Sequence, residues 1–378
     1  MIYALLLFVP TLYFGVMPMF LIAIAYSIYK KRSIEITAVF KLLAIITLLS
    51  VVNFFFALGT GNIHYEYSGS FLAAFPYAIF LIPTYLIANS IDDNTLKWLL
   101  YLIVFEIFIG IAEYLTDTTS FFTSSDQEDL FSSSFLYGRR VLGLSSNSSA
   151  FAEKILLGLM ILFSKRSKFS RKYFSIIFLF ILVGLYITFN RTVIICALFL
   201  MVYFVCSEFH KSKIITIVFL LSVFLALFFM KDKILYQFLR GYDGSSVDLS
   251  LISSGRDSIY PQFWNFFKAH PLCGNGSSKL WIMWDGKSCH AHNSYLMTLA
   301  SNGLLISFFY FFIPFFNFSR KTFPYILVYL ISGLFQYSIF WGISLNDIML
   351  IYFILSGTDS KRQNRLLPSI GMGQQFLP

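Results

Sequence analysis

The residues best suited to chemistry in this chain lie in one long polar segment, residues 253–302, of an otherwise apolar sequence. Arg256 follows a glycine there, and His290 and His292 come just before an apolar stretch that begins at Asn293. Arginine can bind a phosphate group through two parallel hydrogen bonds, and histidine can accept a proton from a hydroxyl group near neutral pH. The segment therefore indicates an anion-binding site with a candidate general base, His292, at the start of a helix.

Three more arginines lie at the ends of apolar stretches. Arg191 is the sole charged residue of a long apolar stretch, and a charge at such a boundary is a functional candidate. Arg139 and Arg140 precede a run of Ser and Asn residues, including Asn147, that can cap a helix whose free N–H groups suit phosphate. The alternatives are arginines that merely reach lipid headgroups and an ordinary capped helix start.

The sequence predicts neither a metal ion nor a cofactor. Nucleotide-binding motifs of the P-loop and GxGxxG types are missing, as is any nucleic-acid-binding module. Cys289, His290 and His292 are close in sequence, but their spacing fits zinc patterns poorly and a fourth ligand is not evident. A DxD-type acidic pair, which would hold a divalent metal, is also missing from the predicted outer loops.

The elements that must position these residues are membrane-spanning helices. Hydrophobic residues make up 57% of the chain and charged residues 12%, whereas a soluble domain is about 45–50% apolar and about 25% charged. The mean hydropathy is +0.73. Apolar runs of about 20 residues recur along the chain, and lipid admits helices rather than open strands. The predicted fold class is therefore all-α, a polytopic transmembrane helical protein.

The apolar runs predict 11 helices, with 12 as the alternative. The first run contains Pro10 and Pro18, so it can form one kinked helix or a tight pair of short segments. One helix is favoured, because two full crossings need more residues. The predicted spans are Tyr3–Tyr29, Ala38–Leu58, Ser70–Asn89, Trp98–Leu115, Gly143–Phe163, Tyr173–Phe189, Thr192–Ser207, Ile214–Met230, Asn293–Phe316, Phe323–Trp341 and Leu345–Leu355.

Lysines and arginines predict the orientation of these helices. Alternate connections carry most of them, which places those connections in the cytoplasm. The long loop Lys231–His292 then faces the periplasm, as does Thr116–Leu142, where a short amphipathic helix is expected at Asp126–Phe135. Residues 1–356 are predicted to form one integral membrane domain. Residues 357–378 are predicted to be a disordered cytoplasmic tail.

Two cysteines, Cys273 and Cys289, share the long outer loop. An oxidising periplasm permits a disulfide there, and closing a loop of this length would stabilise the fold by about 3 kcal/mol in the chain-entropy model. The bridge is the favoured expectation, with two free thiols as the alternative.

At these residues the chain resembles the O-antigen polymerase and O-antigen ligase superfamily of bacterial inner-membrane glycosyltransferases. The matching motifs lie in the family's order between Gly138 and Gly303, with the largest loop before the last one. A paired Arg-x10-Gly pattern of some polymerases is not found. The motifs are Arg140-Val-Leu-Gly-Leu followed by Asn147, Asn190-Arg191-Thr192, Ser254-Gly255-Arg256, Pro271-Leu-Cys-Gly274-Asn-Gly276, and His292-Asn293-Ser-Tyr295-Leu296 with Gly303.

The resemblance implies a GT-C-like fold and a metal-independent, inverting transferase at the periplasmic face of the inner membrane. Its substrate would be an undecaprenyl-diphosphate-linked oligosaccharide. Arg191 and Arg256 would hold the diphosphate and His292 would activate the acceptor hydroxyl. A chain-length-regulating membrane protein and membrane lipid are the other implied partners. The residues expected to contact substrate are Arg139, Arg140, Asn147, Asn293 and Tyr295.

The resemblance leaves three activities open. A polymerase, favoured here, transfers the growing glycan to a lipid-linked repeat unit. A ligase transfers it to a lipid A core sugar. A polysaccharide transporter or flippase would have no catalytic step, and the long polar loop disfavours it.

Overall fold

A computed structural model describes most of the chain, and within its described residues the fold is built from 12 α-helices and one short β-hairpin. The described residues are 1–13, 18–31, 36–64, 75–122, 140–188, 190–208, 255–284, 287–316 and 319–366.

The elements follow one another as helices, with the hairpin inserted before the tenth. The helices are α1 (Ile2–Phe8), α2 (Pro18–Lys30), α3 (Ala38–Gly59), α4 (Leu81–Asn89), α5 (Asp93–Leu115), α6 (Ser148–Ser164), α7 (Arg171–Thr188), α8 (Arg191–Glu208), α9 (Arg256–Ala269), α10 (Ser294–Phe312), α11 (Phe323–Phe335) and α12 (Leu345–Leu366). The antiparallel strands are β1 (Ile282–Trp284) and β2 (Lys287–Cys289).

Long apolar helices form the body of the protein. Among the described residues, 4 helices are long and apolar enough to cross a membrane: α3, α5, α7, and α10 with its 3₁₀ extension to Phe315. Side chains such as Leu48, Phe55 and Leu179 remain exposed on the outside of the bundle, as lipid-facing residues do. The predicted class, a helical polytopic membrane protein, is confirmed.

The first predicted span is two helices rather than one. A 3₁₀ turn at Val9–Thr11 follows α1, and α2 begins at Pro18, so the two prolines limit both segments. The Tyr3 hydroxyl lies 2.6 Å from Ser27 Oγ, which brings the start of α1 beside the end of α2. The favoured single helix is therefore wrong, and the alternative, a tight pair of short segments, is the one formed.

Two other boundaries differ from the prediction. Helix α11 ends at Phe335, well before Trp341, because the chain there turns to enter the site described below. Helix α12 continues past Gly357 to Leu366, so the first part of the predicted disordered tail is helical. The predicted span Ile214–Met230 and the amphipathic helix Asp126–Phe135 lie outside the described residues.

The helix bundle has two chemically different ends. At the basic end, where α5, α7 and α11 begin, Lys30 lies 2.7 Å from Asp92 and Lys165 lies 2.6 Å from Asp93. At the site end, α6, α8, α10 and α12 begin. Basic connections that the sequence assigns to one face thus meet at one end, while their cytoplasmic location stays a prediction.

The turn from Pro271 to Leu280 interlocks with α10 at the site end. Helix α10 is broken at Gly303, whose φ of 71° opens a gap in its hydrogen-bond ladder. The backbone N–H of Leu304 donates to Pro271 O at 2.8 Å, and that of Ser277 donates to Ser301 O at 2.8 Å. The break in α10 therefore anchors the polar loop to the membrane-embedded core.

Candidate functional site

Arg256 and His292 come together at the site end. Arg256 is the first residue of α9, and Tyr260 lies one turn later on the same face. The Tyr260 hydroxyl donates to the backbone oxygen of His292 at 3.3 Å. Helix α9 therefore holds Arg256 beside the residues that precede α10. The motifs that contain Arg256 and His292 in the sequence thus meet in the fold.

His292 is held in an unusual backbone conformation. Its φ is 49°, in the left-handed region, and its N–H donates to Nδ1 of His290 at 3.1 Å. Asn293 then caps α10, because its Oδ1 accepts from the N–H of Leu296 at 2.9 Å. This cap fixes His292 immediately before the helix.

Both histidines are kept neutral by their surroundings. Burial, assisted by the positive charge of Arg256, lowers the pKa of His292 to about 4. Burial lowers the pKa of His290 to about 3, with smaller contributions from His292, Lys279 and Arg256. At neutral pH the His292 imidazole can therefore accept a proton.

Lys279, which is not among the site residues predicted from the sequence, also belongs to this cluster. Lys279 Nζ lies 4.0 Å from the ring centre of Trp341 and within 6 Å of the rings of Tyr77 and Tyr337. Burial lowers the pKa of Lys279 to about 7, partly offset by the charge of Asp347. Lys279 thus adds a basic side chain to the cluster, where both it and Arg256 act electrostatically on His290.

Asp347 holds the aromatic wall behind Lys279. Its carboxylate accepts from the backbone N–H groups of Phe340 at 2.6 Å and Trp341 at 2.9 Å, and from Ser344 Oγ at 2.9 Å. The Trp341 indole in turn donates to Tyr337 O. These contacts join residues that are far from Lys279 in the sequence, so sequence patterns do not reveal them. The one sequence feature that marks Lys279 is its location in a predicted outer loop, where basic residues are disfavoured.

The second group of predicted residues surrounds the starts of α6 and α8. Asn147 caps α6 through the N–H of Ala150 at 2.8 Å, so this helix begins at Ser148 and not at the predicted Gly143. Asn190 Nδ2 donates to Ser149 Oγ at 3.1 Å and places Arg191, the first residue of α8, beside this start.

The segment before α6 is fixed by two buried glutamates of α5. Glu113 accepts from the N–H of Gly143 at 2.7 Å, and Glu106 accepts from Ser145 Oγ at 2.8 Å. Lys154 lies 2.6 Å from Glu106 and balances its charge. Arg140, partly buried, belongs to this segment, whereas Arg139 lies outside the described residues.

The two groups lie at the same end of the bundle. Asn346, at the start of α12, donates to Glu153 Oε2 on α6 at 2.6 Å. Glu153 is little more than one turn from the start of α6, and Asn346 adjoins Asp347, which holds the Trp341 turn. The structure therefore brings Arg256 and His292 into one cluster and places Arg191 at the same end.

Asn293 and Tyr295, predicted to contact substrate, make helix–helix contacts. Asn293 Nδ2 donates to Leu334 O at 2.9 Å and the Tyr295 hydroxyl donates to Leu330 O at 2.9 Å. Both acceptors are on α11, so these side chains hold α10 against α11. A role in substrate binding remains a prediction for them.

Cys273 and Cys289 are thiols in this structure, so the expected disulfide is not formed. Cys273 belongs to the turn that interlocks with α10, where its carbonyl accepts from Asn53 Nδ2 at 2.8 Å. Cys289 instead pairs with Ile282 in the hairpin. Different anchors in the same loop therefore determine the two positions.

The cluster adjoins an open apolar groove of about 380 Å³ beside α9, lined by Tyr260, Pro261, Trp264, Asn265 and Leu296. Within the described part of the chain, no group of at least 3 His, Cys, Asp or Glu side chains could hold a metal ion.

Comparison with known families gives one match. Residues 175–312 match the family model described as O-Antigen ligase, which supports membership of the O-antigen polymerase and ligase superfamily. The matched region contains Arg191, Arg256, Lys279 and His292 and leaves the segment before α6 outside. Neither a curated protein nor a solved structure matches the chain significantly.

Proposed function

We propose that this chain belongs to the O-antigen polymerase and ligase superfamily and transfers a glycan from a lipid diphosphate to an acceptor hydroxyl at the His292 cluster. The observation that carries the proposal is that a neutral histidine just before α10, His292, lies near Arg256, the first residue of α9. The apolar groove beside α9 offers a surface for the lipid chain of the donor.

The proposed reaction is a single displacement. The acceptor oxygen bonds to the anomeric carbon of the donor glycan, while the bond from that carbon to the diphosphate oxygen breaks. His292 takes the hydroxyl proton, and Arg256, with Arg191 as a second proposed cation, offsets the charge on the leaving diphosphate. Attack opposite the leaving group inverts the anomeric configuration, and arginine can supply this stabilisation without a divalent metal.

Substrate binding would also improve His292 as a base. Its pKa of about 4 is low for a base at neutral pH, and the positive charge of Arg256 contributes to that value. A bound diphosphate brings negative charge into the same cluster and would raise the pKa of His292. Lys279, whose pKa is about 7, would gain its proton more readily for the same reason.

The acceptor separates two forms of this activity. We favour a polymerase, whose acceptor is a lipid-linked repeat unit, because the polar loop is the main elaboration outside the membrane. The alternative is a ligase, whose acceptor is lipid A core, and the family match does not distinguish the two. Deleting the gene separates them by lipopolysaccharide banding. Polymerase loss leaves core carrying a single repeat unit, whereas ligase loss leaves bare core and long glycan on the lipid carrier.

The variant His292→Ala tests the catalytic role itself. Removing a general base lowers the transfer rate by about 10²–10⁴-fold, so the variant should reproduce the deletion banding. His270→Ala is the matched control, since this histidine of the same loop packs on Phe266 and His64 instead. Normal long-chain bands from correctly inserted His292→Ala would contradict the proposal.

A further inference from the structure

A cavity of about 780 Å³ opens at the basic end, far from the His292 cluster. Its wall is formed by the last turns of α6 and α8, the first turn of α11 and the later part of α12. Helix α6 begins at the site end and has 17 residues, so its length separates cavity and cluster by about 25 Å. The transfer reaction proposed above does not use this cavity.

Among the described residues, the rim of the cavity carries more basic than acidic side chains. Lys165, Arg320 and Lys321 line it, and Asp93 is the sole carboxylate among the described lining residues. Asp93 already lies 2.6 Å from Lys165 and 3.5 Å from Lys168. Arg320 and Lys321 are exposed and form no ion pair with another described residue.

The floor of the cavity is aromatic. Phe163, Phe204, Tyr325 and Phe353 contribute to it, and the rings of Tyr325 and Phe353 stack with centroids 4.7 Å apart. The guanidinium of Arg166, which does not itself line the cavity, lies 4.9 Å from the ring centre of Phe204 and adds positive charge next to the floor. A cationic rim above an apolar floor matches a ligand that has both an anionic head and a hydrocarbon part.

The loop that carries the two exposed cations is held in place. The Tyr203 hydroxyl donates to Arg320 O at 3.2 Å, which ties the loop to α8. Ser319 Oγ lies 2.9 Å from Thr322 Oγ1, and Ser319 O accepts from the N–H of Phe323 at 2.9 Å. The backbone at Arg320 is therefore ordered before a ligand arrives, which lowers the entropy lost on binding.

We propose that this cavity binds the headgroup of an anionic phospholipid. The phosphate would lie between the side chains of Arg320 and Lys321, and the glycerol with the first acyl carbons would cover the aromatic floor. Basic pockets between membrane helices bind anionic headgroups in this way. The bound lipid would join the ends of α6 and α8 to α11 and so stabilise the basic end.

The experiment uses the full-length protein in nanodiscs of phosphatidylcholine, with and without phosphatidylglycerol. Phosphatidylglycerol should raise the thermal unfolding midpoint of the wild type, and native mass spectrometry should retain it on the protein. In R320A/K321A the affinity should fall roughly 30-fold, since each basic residue near the surface contributes about 1 kcal/mol. R320Q/K321Q keeps both side chains polar and replaces the alanine variant if that variant folds poorly.

R171A/K172A is the matched control, because it removes two exposed cations at the start of α7, outside the cavity lining. This control should retain the phosphatidylglycerol effect. Equal losses in both double variants would mean general charge attraction and would overturn the proposal. An equal stabilisation by glycerol phosphate alone would overturn it too, since the floor would then contribute nothing.

Discussion

Single side chains near His292 acquire their properties from neighbours that are distant in the sequence. Arg256 affects the pKa of His292 because Tyr260 ties α9 to the start of α10. Lys279 is held over Trp341 because Asp347 fixes the turn before α12. The chemistry of the cluster therefore depends on three separate elements: α9, the start of α10 and the turn before α12.

Replacing Arg256 should impair transfer and also change its pH dependence. Arg256→Ala removes one charge from the proposed leaving-group site, and losses of about 10²–10³-fold in kcat are typical of such changes. Because Arg256 lowers the pKa of His292, its removal should raise that pKa and move the acid limb of kcat/KM to higher pH. Arg256→Lys should restore activity only in part, since lysine lacks the bidentate geometry.

Lys268→Ala provides the control for this prediction, because Lys268 is exposed near the other end of α9. Its rate and pH profile should match those of the wild type. If Arg256→Ala lowered the rate without moving the acid limb, its charge would not act on His292.

His290 should make the fold less stable in acid. Its pKa is about 3 in the folded protein and about 6.5 when unfolded, so below pH 6.5 the unfolded state binds more protons. The free energy of unfolding contributed by this group therefore falls as pH drops from about 6.5 towards 3. The difference in thermal unfolding midpoint between His290→Asn and the wild type should change in favour of the variant as the pH falls from about 6.5 to about 3. A pH-independent difference would contradict the buried, neutral state of His290.

The interlock between the Pro271–Leu280 turn and α10 positions the whole cluster. Gly303 supplies the left-handed backbone at the break, and an added Cβ there would overlap the carbonyl of Leu272. Asn275 attaches the other side of the turn to the residues after α3, since its Oδ1 accepts from the N–H of His64 at 2.8 Å. The turn that carries Lys279 is thereby anchored both to α10 and to the residues after α3.

Gly303→Ala should consequently destabilise the protein by on the order of 2–4 kcal/mol, from backbone strain and the lost contact. The measurement is the thermal unfolding midpoint of the purified protein in detergent. Gly59→Ala is the control, because a Cβ at Gly59 meets no heavy atom within 4 Å and alanine favours the helix. Equal stability of the two variants would show that the break tolerates a side chain.

The sequence predicts elements set by apolar length and misses contacts set by tertiary packing. Spans such as Ala38–Leu58 agree closely with α3 because an apolar run of that length must be helical in lipid. The Lys279–Trp341 contact and the β-hairpin depend on distant neighbours, so neither was predicted. The proline-limited pair α1 and α2 was weighed only as an alternative, since run length alone cannot distinguish one kinked helix from two short ones.

The proposed function requires one particular orientation of the molecule in the membrane. The basic end carries Lys30, Lys165 and Arg320, and such residues remain on the cytoplasmic side during insertion. The His292 cluster, at the opposite end, would then face the periplasm. A lipid-linked glycan can reach it there after export.

Alkaline phosphatase fusions test this orientation, because the phosphatase needs disulfides that form in the oxidising periplasm. A fusion after Lys268, in α9, should be active, and one after Lys168, between α6 and α7, should be inactive. A fluorescent protein that matures only in the cytoplasm should give the opposite result at the same two positions. The reverse pattern would place His292 on the cytoplasmic side. The proposed glycan donors would then have to react before export, which would contradict both the polymerase and the ligase proposals.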